Sequence, residues 1–321
     1  MGAIIRGIGV YYPENVVTNA QLEKQVDTTD EWITTRTGIK QRRILPQDSN
    51  LLASDFGAAA AQAAMSKAGL KPEDIDGIIC ANINPDKQFP ATACFIQAKI
   101  GAKNAFAFDV TAACAGFVFA ANMASLLIDA GQAKHILVIG AEILSRVLDW
   151  TDRNTCILFG DAAGAAVFSA GPKDRGIILS QLKSDGTQSE VLYLNSLLSD
   201  KKSGGKSGMN MDGKQVFKAA VTEITDIVKT TVAKAGFTMQ DLDLLVMHQA
   251  NVRIINAITE KLGLPPEKVV INVDKFGNTS SASIPLALHD AESQGRLQPG
   301  KLVALAAVGG GMSWGCNLMR W

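Results

Sequence analysis

Apolar residues along this chain switch between two patterns for most of its length: short solid runs, then stretches with a helical period. The solid runs include Gly77-Ile78-Ile79-Cys80-Ala81, Ile136-Leu137-Val138-Ile139 and Leu302-Val303-Ala304-Leu305. Runs without polar alternation fit strands covered on both faces, and their alternation with helical stretches predicts an α/β fold with substantial parallel sheet. Met1-Gly2-Ala3-Ile4-Ile5-Arg6-Gly7-Ile8 reads as a further short strand and lacks the charged-then-apolar pattern of a signal peptide. The most apolar helical stretch, 113–130, contains Asn122 and Asp129, which predicts a buried core helix rather than a membrane span. Residues 182–214, rich in Ser, Gly, Lys and Asp, show neither period and read as an exposed loop.

The chain also matches itself. Ala68-Gly69-Leu70-Lys71-Pro72-Glu73-Asp74-Ile75-Asp76-Gly77-Ile78-Ile79 aligns with Ala235-Gly236-Phe237-Thr238-Met239-Gln240-Asp241-Leu242-Asp243-Leu244-Leu245-Val246 at an offset of 167, and the same offset pairs Lys134-His135-Ile136-Leu137-Val138 with Lys301-Leu302-Val303-Ala304-Leu305. One offset at two distant places predicts a repeated half, 1–172 and 173–321, rather than a short solenoid unit. It sets the loop holding Cys114 against Lys275-Phe276-Gly277-Asn278-Thr279-Ser280-Ser281, and the strand end at Ala81 against His248. Two halves related by a pseudo-twofold axis would bring those strand ends and helix starts together, with a site between them.

Composition narrows the function classes. Lys+Arg and Asp+Glu each number 31, so net charge gives no hint of a nucleic-acid partner. The 5 cysteines are odd in number, irregularly spaced and without a CxxC pair, which argues against a disulfide framework and a zinc site and points to a reducing, cytoplasmic setting. Gly204-Gly205-Lys206-Ser207 ends like a phosphate-binding loop, but Asp200 stands where the first glycine is needed.

Candidate chemistry starts at Cys114, where the strand Phe108-Asp109-Val110 gives way to small residues and an apolar helix. Unpaired N–H groups and the helix dipole at such an end favour thiolate over thiol. Of three histidines, His135 begins a strand and His289 lies on an amphipathic helix. His248 ends the apolar run Leu242–Met247, at the strand edge where α/β proteins place their sites. Asn278 could be turn and helix cap, or a fixed amide able to hydrogen-bond an anionic oxygen. Gly309-Gly310-Gly311 allows either a tight turn or a backbone N–H aimed at an oxyanion. A papain-like protease has the same Cys, His, Asn order, but its CGSCW-type signature and disulfides have no match here.

These segments, with Asp30-Glu31-Trp32-Ile33-Thr34-Thr35-Arg36-Thr37-Gly38 and Asp149-Trp150-Thr151-Asp152-Arg153, resemble the 3-oxoacyl-[acyl-carrier-protein] synthase III family over nearly the whole chain. Elongating condensing enzymes carry a second histidine in place of Asn278, thiolases a second cysteine before the last glycine turn, and plant-type polyketide synthases usually a Gly-Pro-Gly turn. The resemblance implies a thiolase-like duplicated five-layer α/β/α/β/α fold. It also implies the initiating step of type II fatty acid synthesis, a decarboxylative condensation of a short acyl-CoA with malonyl-acyl-carrier protein, by a cytoplasmic homodimer without metal or redox cofactor. It makes Cys114, His248 and Asn278 catalytic and gives the oxyanion hole to the N–H groups of Cys114 and Gly310. Thr28, Trp32, Arg36, Arg153, Phe159, Leu192, Met211, Phe217, Ala250 and Asn251 would meet substrate. Lys214, Lys218 and Arg253 would dock the carrier protein, and Phe89 would enter the partner subunit's acyl pocket. Ala163 stands where the family commonly has glycine, an extra methyl expected to be tolerated at an ordinary backbone dihedral.

Overall fold

The computed structural model describes residues 2–195 and 208–321; the Gly204–Ser207 run lies outside the described residues. In chain order the strands are β1 (Gly2–Tyr11), β2 (Val16–Thr18), β3 (Gln41–Arg43), β4 (Gly77–Ala81), β5 (Phe106–Val110), β6 (His135–Glu142), β7 (Ala162–Gly171), β8 (Gly176–Ser184), β9 (Leu192–Leu194), β10 (Met209–Met211), β11 (Leu244–Met247), β12 (Leu302–Gly309) and β13 (Ser313–Arg320). The helices are α1 (Asn19–Leu22), α2 (Asp30–Thr37), α3 (Ala53–Ala68), α4 (Thr92–Ile100), α5 (Gly116–Asp129), α6 (Arg153–Cys156), α7 (Gly213–Lys234), α8 (Val252–Leu262), α9 (Val273–Phe276) and α10 (Ser283–Ser293).

Two sheets carry the architecture. The first runs β1-β7-β6-β4-β5, with β4 parallel to both β5 and β6; the second runs β11-β12-β13-β8, with β11 parallel to β12. Successive strand residues point to opposite faces, so each sheet supplies two apolar surfaces. On the outer face of the first, Ile78, Cys80, Leu137 and Ile139 pack against Phe56, Ala60 and Ala64 of α3 and Ile96 of α4. Its inner face, with Ile79 and Val138, packs on Phe117, Val118 and Ala121 of α5 and on Ile284 and Leu288 of α10, which also cover Val246 and Leu305 of the second sheet. Beyond that sheet, Leu245, Met247, Ala304 and Ala306 meet Ile224, Ile227 and Val228 of α7 and Ile255 and Ile258 of α8. The order is therefore helices, sheet, helices, sheet, helices. Each fully buried Ile, Leu or Phe contributes about 2 kcal/mol. Most of one side of α5 is buried in this middle layer, which accounts for many of the apolar residues of 113–130, but Met123 and Leu126 are exposed, so the helix is not buried all round as expected. No helix among the described residues is long and apolar enough to cross a membrane.

The 167-residue offset recurs in the elements. β6 and β12 correspond at both ends, as do the 3-10 turns Ala113–Ala115 and Ser280–Ala282, and α5 and α10 begin at matching positions. The copies are unequal, since β5 is answered by one bridge, Leu245 to Val269. Ala163, within β7, has an ordinary strand dihedral and pairs with Tyr11 and Ala141.

Within 182–214, residues 196–207 lie outside the described residues, and the described stretches 182–195 and 208–214 differ from the aperiodic loop expected. They hold the end of β8, a 3-10 stretch at Gly186–Val191, the β9–β10 ladder and the start of α7. Strands of three residues are too short to show a period. The start of α7 is fixed instead by the Asp212 carboxylate, which accepts from Lys214 N and Gln215 N, a cap worth about 1 kcal/mol.

Candidate active site

After β5 the chain turns through Ala113, whose φ of 45° lies in the left-handed region, and delivers Cys114 at the head of α5. Such a conformation in a non-glycine residue costs about 1–2 kcal/mol and persists only when its surroundings enforce it. One enforcing contact is the backbone of β12: a Cβ on Gly309 would lie 2.6 Å from Cys114 N, so only glycine fits. Cys114 lines a largely apolar cavity of about 620 Å³.

His248 and Asn278 line the same cavity. Each has one polar atom already occupied. His248 Nδ1 lies 2.6 Å from Ser283 Oγ, and Ser283 Oγ also accepts from Gln249 N at 3.3 Å. Ser283 Oγ can donate its hydroxyl hydrogen to Nδ1 while it accepts from Gln249 N, and in that tautomer the imidazole hydrogen sits on Nε2. Asn278 Oδ1 accepts from Ser280 N at 2.8 Å, leaving the Nδ2 hydrogens for the cavity. The Asn278 loop is tied down by its own N–H donating to Leu158 O and by Gly160 N donating to Asn278 O.

Burial dominates the electrostatics. It pushes the Cys114 thiol up to about 12, so the helix-end advantage expected from sequence does not produce a resting thiolate. It pushes His248 down to about 3, so the imidazole is neutral. Among the described residues, no cluster of His, Cys, Asp or Glu could hold a metal ion.

The cavity also takes in Gly310, Phe159, Leu192, Met211, Phe217, Ala250 and Asn251. Gly310 belongs to the turn between β12 and β13, so its glycine run is both tight turn and site wall. Thr28, Trp32, Arg36 and Arg153 do not line it. They sit beside it, where the Arg36 and Arg153 guanidinium groups lie 4.6 and 5.2 Å from the Trp32 ring centre. Asn251 joins this cluster to the cavity, since its Nδ2 donates to Arg36 O at 3.1 Å. Thr28 Oγ1 is buried without a partner. Lys214 and Lys218 are exposed on the first two turns of α7 and Arg253 on the first turn of α8, whose neighbours Val216, Phe217 and Ile254 line the cavity. Phe89 is 83% exposed, which rules out the local-core role open to an aromatic before proline.

A family model described as 3-Oxoacyl-[acyl-carrier-protein (ACP)] synthase III matches residues 108–186, and the model of its C-terminal part matches 232–321. A β-ketoacyl-[acyl-carrier-protein] synthase III of Agrobacterium fabrum is 51% identical over 324 residues, covering 99% of both chains. The chain belongs to the 3-oxoacyl-[acyl-carrier-protein] synthase III family. A crystal structure of a synthase III from Aquifex aeolicus superposes with a TM-score of 0.94 at 46% identity over 100% of both chains. A priming β-ketosynthase of a polyketide pathway superposes at 0.93 with 34% identity, covering 99% of this chain and 96% of that one. The fold is thus the thiolase-like duplicated five-layer fold of the synthase III enzymes.

Three residues around this synthase III cavity escaped the sequence reading. Ser283 orients His248, and Ser280 fixes Asn278 through its N–H while its buried hydroxyl partly offsets the upward push that burial gives Cys114 and Glu142. Glu142 is buried behind Ser281. Ser280 and Glu142 could have been found by carrying the 167 offset residue by residue, since they answer Ala113 and Gly309.

Proposed function

We propose that Cys114 carries the acyl group, and that His248 and Asn278 promote loss of CO2 from the malonyl partner, in a chain that acts as an initiating condensing acyltransferase. The supporting observation is that Cys114, His248, Asn278 and Gly310 share one largely apolar cavity. Cys114 attacks the thioester carbon of a short acyl-CoA, its proton leaves with the CoA sulfur, and the N–H groups of Cys114 and Gly310 face the oxyanion. Malonyl-acyl-carrier protein then loses CO2. The electron pair passes into an enolate whose oxygen accepts from His248 Nε2 and Asn278 Nδ2, and its carbon displaces Cys114 to give the 3-oxoacyl product. Two neutral donors suit this step, because a permanent cation would also stabilise the malonyl carboxylate that must depart.

Trp32, Arg36, Arg153 and Thr28 would hold the CoA nucleotide, while Lys214, Lys218 and Arg253 would meet the acidic carrier protein. Phe89 would complete a partner's pocket in a cytoplasmic homodimer working without metal or redox cofactor. The halves 1–172 and 173–321 would supply the acyl-carrying and decarboxylating groups respectively.

Intact-mass analysis after incubation with acetyl-CoA should show one acetyl adduct, absent in Cys114→Ser. In Asn278→Ala the adduct should persist while malonyl decarboxylation falls by about 10²–10³. Equal losses of both steps would contradict the division of labour. The likeness to a polyketide priming ketosynthase supports a second reading, a starter enzyme of secondary metabolism. Comparing kcat/KM for acetyl-, isobutyryl- and longer acyl-CoA separates the two.

A further inference from the structure

Glu142, the last residue of β6, is fully buried and answers Gly309, the last residue of β12. The backbone at Gly309 runs too close to Cys114 for any side chain. On the other copy, Glu142 covers Ser281, the counterpart of Cys114. Its Oε1 lies 2.7 Å from Ser281 Oγ and 3.4 Å from Ser281 N, and its Oε2 accepts from Ile83 N at 3.2 Å. Ser281 Oγ lies also 2.9 Å from Ala81 O.

These contacts impose a proton count. Ser281 has one hydroxyl proton, and the Ala81 carbonyl can only accept. If Ser281 donates to Ala81, the short contact to Glu142 requires the hydrogen to sit on Oε1. An ionised Glu142 would take that serine proton and leave two oxygen lone pairs facing each other at the Ala81 carbonyl. Among the described residues, none of Glu142's hydrogen-bond partners is a cation that would hold it ionised.

We propose that Glu142 is kept as a neutral carboxylic acid donating to Ser281, and that this neutrality spares the Cys114 nucleophile an adjacent negative charge. Glu142 is thus a positioning residue acting through charge and through the Ser281 turn, not a group that touches substrate. Burial pushes it up to about 7, and its charge is one of the influences that raise the Cys114 thiol. The other titratable groups facing this region are Cys80 on β4, with Asp109 of β5 and Asp86 acting on it, and neutral His248 after β11. As pH rises through about 7 the proton leaves Glu142, and forming the Cys114 thiolate becomes harder.

The inference rests on Cys114 being the acyl-carrying residue, but its test needs neither acyl-CoA nor carrier protein, so its failure leaves that assignment standing; the acetyl adduct tests the assignment separately. Infrared spectra of the wild type should show a protonated carboxyl band at mildly acid pH that fades through about pH 7 and is missing from Glu142→Gln. Alkylation of Cys114 by iodoacetamide, read on its peptide, should be equal in the two proteins at mildly acid pH. Above neutrality the variant should react roughly tenfold faster. An ionised Glu142 at mildly acid pH, or an alkylation ratio that does not change with pH, overturns the proposal. Should the variant not fold, the wild-type band in isotope-labelled-glutamate protein decides: a buried acid titrating near neutrality sustains it, and its absence overturns it.

Discussion

Two turns in this molecule share one backbone and have opposite fates. Ala113 and Ser280 both adopt left-handed φ, 45° and 48°, each leads into a 3-10 turn, and each is followed by a residue at the head of a middle-layer helix. At the first, Cys114 opens onto the cavity; at the second, Ser281 is sealed behind Glu142. Duplication therefore copied the strained geometry, while the residue at the neighbouring strand end, Gly309 or Glu142, decided which copy stayed open. The closed turn still serves the site, because Ser280 N is the donor that fixes Asn278.

The contrast is broken most severely at the nucleophile. Cys114→Ser should lose condensation by a factor on the order of 10⁴, because a hydroxyl in this dry setting is a far poorer nucleophile than the thiol. Ser281→Ala, its counterpart, should retain most activity and lose about 2 kcal/mol of stability for its two hydrogen bonds. Comparable activity losses in both, measured as kcat/KM for acetyl-CoA, would show that the turns are not functionally distinct. Next in size is Gly309→Ala. Its methyl carbon would meet Cys114 N at 2.6 Å, and the forced shift of the nucleophile should cost acylation roughly 10². Unchanged acylation would mean that β12 does not set the position of Cys114.

Much of the fold was legible because its signal is carried by apolar runs. The strands at 77–81 and 302–305 and the offset between halves survive in the sequence since buried sheet positions admit few residue types. Cys114, His248 and Asn278 stood out by position at strand or helix ends. The contacts that tune them did not, because they join residues far apart in sequence: Ser283 to His248 across 35 residues and Glu142 to Ser281 across 139. Nor does sequence report burial, which overrides the helix-end effect on Cys114.

Two buried titratable groups near these turns, Glu142 and His248, predict opposed pH effects on stability. Glu142 in the folded state sits at about 7, above its ordinary 4.5. The folded protein keeps a proton the unfolded chain has lost across that window, so this contribution is full below about 4.5 and lost as pH rises through about 7. His248, lowered from 6.5 to about 3, contributes stability above 6.5 that is lost as pH falls through about 3. Relative to wild type, Glu142→Gln should therefore gain on the order of 3 kcal/mol between the acid and neutral ends of the Glu142 window, read from urea midpoints. The same difference at both ends would mean that Glu142 is ionised throughout.

The smallest expected effect tests the seal itself. Ser281→Cys in a Cys114→Ser background puts a thiol on the matching strained turn, at the head of a matching helix. If backbone geometry alone made a nucleophile, this protein should take up acetyl from acetyl-CoA at position 281. Glu142 blocks the approach and offers a carboxyl where Cys114 has open cavity, so no adduct should form. The cost should be only about 1 kcal/mol of stability for the weakened bond to Ala81. An acetyl adduct at 281, found by peptide mass, would show that the strained turn suffices and that the choice between Gly309 and Glu142 is not what separates the two copies.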